Sequence, residues 1–209
     1  MNELALRRAE AAFLSRYPGG FAHPELVEIG QKKHKMDKME ALTRESFAKK
    51  RFDDPARLAE DAIRVVSRSS MVSVFEKPKF RDYVRQLGRD DRAAFVAALQ
   101  EWIHGAEARG FEALFAALAP GKLTKWTLMS VFKAYYRPRH DVFIKPTTAK
   151  LIIARLELGL EYHPTPTWGF YRDFRNAIND MKQLVAPELA INNPAFCGFL
   201  MMTLSGDLN

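Results

Sequence analysis

The sequence predicts an all-α protein: a compact multi-helix domain with an N-terminal helical arm. Three observations carry this. Apolar residues recur at helical spacing in almost every segment. Cap and breaker residues punctuate those segments at intervals that suit helices of ordinary length. The one alternating run, Met71-Val72-Ser73-Val74-Phe75, has helices on both sides and no partner strand, so it reads as a short apolar helix or connector.

The first helix carries Leu4, Leu6, Ala9, Phe13 and Leu14 and stops at Tyr17-Pro18-Gly19-Gly20. Pro24 opens a second, with Glu25 and Glu28 in its first turn, expected to run to about Lys50. Its apolar positions are sparse, and Lys32, Lys33, His34, Lys35 and Lys38 crowd one segment. They read either as a solvated face or as a basic face for phosphates. Asp53-Asp54-Pro55 is an acidic cap with proline just inside, and a weak boundary is placed here: residues 1–53 as the arm, 54–209 as the core domain.

Leu58, Ala62, Val65 and Val66 give the next buried stripe, followed by a short helix from Lys79 to Leu87 that Gly88 stops. Asp90 or Asp91 begins another, with Phe95, Leu99, Trp102 and Ile103 inward. Gly105 and Gly110 bracket a break before a short helix from Phe111 to Leu118. A helix from about Thr124 to Tyr136 buries Leu128, Val131, Phe132 and Tyr135, and Arg137-Pro138 ends it. Pro146 starts the next, with Gly159 as its cap. Pro164 and Pro166 make a stiff link, Thr167 caps a helix carrying Phe170, Phe174, Ile178 and Met181, and Asn193-Pro194 starts a final apolar helix.

The chain has 209 residues and a formal charge of +7, which favours anionic partners. With Cys197 as its one cysteine, it has no internal disulfide and no cysteine metal cluster; the residue reads as a buried small hydrophobe. The five histidines do not fall at ligand spacing, and no glycine run precedes a Lys-Ser or Lys-Thr pair, so no metal and no cofactor is expected. No window approaches the roughly 20 apolar residues of a membrane span, and the amphipathic N-terminus lacks the apolar run of a signal peptide; a cytoplasmic protein is expected.

The chemistry concentrates between Lys122 and Lys150. Lys122, Lys125, Lys133, Arg137, Arg139, Lys145 and Lys150 face a single acid, Asp141, leaving a local excess of six positive charges. Trp126, Tyr135, Tyr136, Phe143 and Trp168 interleave. Bases neutralise phosphates and aromatic faces stack on exposed bases, although Trp126, Tyr135 and Phe143 also suit a core.

Two resemblances attach to these residues. Ser67 to Lys77, Lys125-Trp126, Phe143-Ile144-Lys145-Pro146 and Tyr162 to Trp168 resemble a family of uncharacterised bacterial proteins, over roughly residues 67–204. Ala119-Pro120-Gly121-Lys122-Leu123-Thr124-Lys125 resembles the Leu-Pro-Gly-x-Gly-x-Lys hairpin of helix-hairpin-helix DNA glycosylases. Arg137 to Thr148, with the run Ala149 to Leu158, resembles the segment around their catalytic aspartate.

The second resemblance implies a DNA partner. It implies phosphate held by hairpin amides around Gly121 and Lys122, and Lys125 as a Schiff-base nucleophile in lyase members. Arg137, Arg139, Lys145 and Trp168 complete the expected nucleic-acid site. Leu123 stands in place of the second hairpin glycine. Lys145, Pro146 and Thr147 stand where the aspartate would be, so the expectation is a glycosylase-like scaffold without standard glycosylase chemistry. The alternative is a protein-interaction module, with the arm as a partner-binding or self-associating element.

Overall fold

The helix that begins at Trp126 is buried on every side. From Trp126 to Tyr135 every residue is shielded from solvent, including Thr127, Ser130 and Lys133. A helix buried all round belongs at the centre of a domain, and several of the others pack about it.

In this computed structural model, which describes residues 1–206, the elements are α1 (Glu3–Arg16), α2 (Pro24–Ile29), α3 (Met36–Ser46), α4 (Pro55–Arg68), α5 (Glu76–Gln86), α6 (Arg89–His104), α7 (Glu107–Leu118), α8 (Trp126–Tyr136), α9 (Pro146–Arg155), α10 (Trp168–Lys182) and α11 (Asn193–Leu204). No strand occurs among the described residues, and no helix there is long and apolar enough to cross a membrane. Residues 207–209 of the expected core domain lie outside the described ones.

Several boundaries follow from caps that the sequence displays. Asp54 accepts the Arg57 amide, Thr167 the Phe170 amide and Asn192 the Ala195 amide, with proline inside the first turn of α4 and α11. Helices α3, α4, α6 and α7 pack against α8. A second group, α1, α9 and α10, packs on α11.

The 1–53 segment does not stand apart as an arm. Leu6, Phe13, Met39 and Phe47 are buried in the same core as α8. The Phe13 ring meets Phe199 of α11 at 5.2 Å, and Phe47 meets Phe132 of α8 at 5.7 Å. The Asn2 amide donates to the Leu156 carbonyl at 2.7 Å.

The long helix expected from Pro24 is also broken. After α2 the backbone widens into a π-helical turn, Gly30–His34, and Lys35 adopts a left-handed conformation at φ 49°. Nothing between residues 24 and 35 is buried. With a glycine at its midpoint and lysines crowding its second half, this stretch lacks the apolar face that would hold a straight helix.

Two helices start earlier than their apolar stripes indicate. α5 begins at Glu76, because Pro78 is tolerated in a first turn. α7 begins at Glu107, and Gly110 lies inside it rather than at a break. A side chain at Gly110 would place its Cβ 2.4 Å from the Trp102 backbone, so this glycine sets how closely α6 and α7 approach. Gly110→Ala must push apart two helix backbones, and we expect it to cost about 2 kcal/mol or more of stability, read as a lower urea midpoint.

Candidate nucleic-acid interface

Helix α7 ends in a turn that leads directly into α8. The Leu123 amide reaches back to the Leu118 carbonyl at 3.1 Å and the Lys122 amide to Ala119 at 2.9 Å, with Lys122 at φ 54°. This is the Schellman arrangement, with lysine at the left-handed position that glycine normally occupies. Gly121 serves a different purpose. Its bare Cα lies under the Tyr83 ring, which a Cβ would approach to 2.6 Å.

The amides of Lys122, Leu123 and Lys125 all donate to carbonyls of the same turn. The resemblance assigns hairpin amides to phosphate, but in this turn these three are spent internally. What the turn offers outward is two exposed side chains, Lys122 and Lys125, and Lys125 precedes an α8 N-terminus that no side chain caps.

Two other segments converge on the same end of α8. The Thr127 hydroxyl donates to Glu76 Oε2 at 2.9 Å, which brings the α4–α5 connector alongside. The Trp126 indole donates to the His163 carbonyl at 2.8 Å, which anchors the proline-rich link before α10. His163 itself lies 3.8 Å from Glu161. The connector carries Val74 and Phe75, 70% and 78% exposed. The oxygens of Ser73 take the amides of Phe75, Glu76 and Lys77, so the exposed ring sits on an organised turn. The sequence reading missed Phe75, which looked like one more apolar residue in an alternating run.

Lys145 and Lys150 flank this end. The Ile144 amide donates to Ser130 Oγ at 3.0 Å, setting Lys145 about one helical turn along α8 from Trp126. The Lys150 ammonium lies 4.9 Å from the Tyr162 ring, and aromatic contacts lead from there through Phe170 to Trp126.

Arg137 and Arg139 belong to the opposite end of α8, roughly 18 Å away along its axis. Arg139 is exposed. Arg137 is committed to carboxylates: its Nε donates to Asp141 at 2.8 Å and its Nη2 to Glu107 at 3.0 Å. Trp168 is half-buried among Trp102, Phe111 and Tyr171 rather than presented to a ligand. Sequence reasoning grouped Arg137, Arg139 and Lys145 by proximity along the chain; the arginines follow the end of α8, while Lys145 lies about level with Ser130, nearer the start.

The pairs of Arg137 belong to a buried ionic cluster. The Lys133 ammonium is 1% exposed, donates to Glu107, and lies 3.8 Å from Asp141 and 4.2 Å from the Trp102 ring. Arg175 donates to Glu107 at 2.9 Å and to Asp141 at 3.1 Å, and the Tyr171 hydroxyl also donates to Asp141. Three cations share two carboxylates. Burial pulls the Lys133 ammonium down, and attraction to Asp141 and Glu107 opposes it. Burial also pushes the Glu107 carboxyl up, but its bonds to Lys133 and Arg175 outweigh this and hold it at about 2. Asp141, the carboxylate nearest to the segment resembling the glycosylase aspartate, is wholly buried in this cluster. Burial pushes the Cys197 thiol up to about 12, as suits a packing residue.

No protein-family model, no curated protein and no solved structure matches this chain.

Glu107 lies below its unfolded-state value of 4.5, so its pairs stabilise the fold above that pH and lose their contribution as pH falls toward about 2. Urea midpoints should therefore decline across that window, and Glu107→Gln should flatten the decline. At pH 7 the same variant leaves Lys133 short of a partner and should cost about 3 kcal/mol.

Proposed function

We propose that the protein binds nucleic acid, most simply DNA, through its phosphates at the end of the fold where α8 begins. One observation carries the reading. Six of the seven bases of the 122–150 stretch divide into two sets, with exposed Arg139 apart from both. Lys133 and Arg137 are matched to Glu107 and Asp141. Lys122, Lys125, Lys145 and Lys150 are exposed, and among the described residues none of them is in an ion pair. Unpaired ammonium groups gathered at one end of a domain are the footprint that a polyanion neutralises.

Arg139 adds charge at the far end of α8, and Arg137 is left out of the contact set because its guanidinium is engaged. The resemblance to helix-hairpin-helix glycosylases supports the choice of DNA. No carboxylate stands at Lys145, Pro146 or Thr147, so the proposed role is binding rather than base excision. A lyase extension would use Lys125 as the amine that forms a Schiff base with abasic DNA. Borohydride trapping tests it, and a missing adduct removes that extension alone.

The binding test is fluorescence anisotropy of a labelled oligonucleotide across a salt series. Substituting Lys122, Lys125 and Lys145 together with alanine should weaken binding for all sequences and reduce the log–log salt slope by about 2 to 3. An unchanged slope would overturn the reading. Lys122→Gly is a useful companion: it removes a charge and relieves roughly 1 kcal/mol of left-handed strain, so it should bind more weakly while unfolding at higher urea.

A second reading, a protein-interaction module, is favoured by a groove of about 890 Å³ between α6 and α7. Six alanines of α6 and α7 line it together with Tyr83, Leu87 and the charged Asp91, Glu101 and Arg109. Concentration-dependent mass in light scattering, without any oligonucleotide binding, would select this reading instead.

A further inference from the structure

We infer that the ligand of this surface is single-stranded, with an unpaired base stacked on Phe75; the inference rests on the nucleic-acid reading above. The connector between α4 and α5 holds an aromatic ring almost wholly in water. It does so on a turn fixed by Ser73 and by the bond from Thr127 to Glu76. A ring carried on a hydrogen-bonded turn needs no ordering of the loop when it stacks, so less of its contact free energy is spent there.

The charge around the ring suits a nucleic-acid strand. The carboxylate next to Phe75, that of Glu76, accepts the Thr127 hydroxyl and is thereby tied to the start of α8. Lys79 is exposed and Lys77 half-buried on the first turn of α5. Two residues before Thr127 stands Lys125, with Lys122 one turn further back in the hairpin. A protruding ring beside phosphate-binding lysines matches the alternation of base and phosphate along one strand. A duplex keeps its bases stacked inside and offers such a ring nothing to stack on unless a base is first unstacked.

The full-length chain is titrated against a labelled oligothymidylate, a duplex of equal length, and vesicles of phosphatidylcholine with phosphatidylserine. The single strand should bind more tightly than the duplex. Phe75→Ala should weaken single-strand binding by about 5- to 100-fold and duplex binding by less than about 2-fold. Phe75→Leu, which keeps an apolar side chain without a π face, should lose as much as the alanine variant, and Phe75→Trp should retain affinity. Because residue 75 is exposed, all three variants should unfold at the wild-type urea midpoint.

The inference is overturned if Phe75→Ala leaves single-strand affinity intact, if Phe75→Leu binds like wild type, or if Phe75 governs vesicle binding instead. Salt-dependent binding that is lost with Lys122 and Lys125 but indifferent to Phe75 would overturn stacking and leave the nucleic-acid reading standing. Binding to neither oligonucleotide would remove both.

Discussion

A lysine in the middle of a fully buried helix is the constraint on which the rest of this structure depends. An ammonium taken out of water costs several kcal/mol unless carboxylates and hydrogen bonds replace its hydration. Lys133 is matched by Glu107 at the start of α7 and by Asp141 in the loop after α8. Those carboxylates in turn hold Arg137 and Arg175, the second of which comes from α10. One cluster therefore ties α7, α8, the 137–145 loop and α10 into a single arrangement. A shared set of directed ion pairs adds fixed partners to the packing of α8 among its neighbours.

The same cluster decides what is left for the surface. Of the bases that make the 122–150 stretch look like a phosphate site, carboxylates take two, and both lie in the second half of α8 or just beyond it. The lysines of the hairpin and of the segment leading into and along α9 stay exposed. Positive charge is thus unevenly divided between the two ends of one helix. The free end is also where the α4–α5 connector and the proline-rich link meet.

Much of the scaffold was legible in the sequence because its signals are local. Asp54, Thr167 and Pro146 act where they stand in the chain, and proline after Arg137 stops α8 whatever surrounds it. What was not legible depends on partners distant in sequence. Lys133 and Arg137 looked like surface bases, since Glu107, which pairs with both, comes from α7. Gly110 looked like a helix break, since only the Trp102 backbone opposite reveals why it has no side chain. Gly121 suited a phosphate turn until Tyr83 was found above it. The bonds that engage the amides of Lys122, Leu123 and Lys125 within that turn were likewise beyond what the sequence displays.

The seam between the two halves of the chain has a temporal side. Glu10 of α1 accepts the amide of Ala186, 176 residues later, and Phe13 packs against Phe199. Translation proceeds at about 5–20 residues per second, so α1 leaves the ribosome roughly 10 to 35 seconds before the segment that covers it exists. Throughout that interval Phe13 has its near neighbours Tyr17 and Phe21 but not Phe199. Helix α1 is therefore made well before its C-terminal partners, and its packing is complete only once α11 has followed.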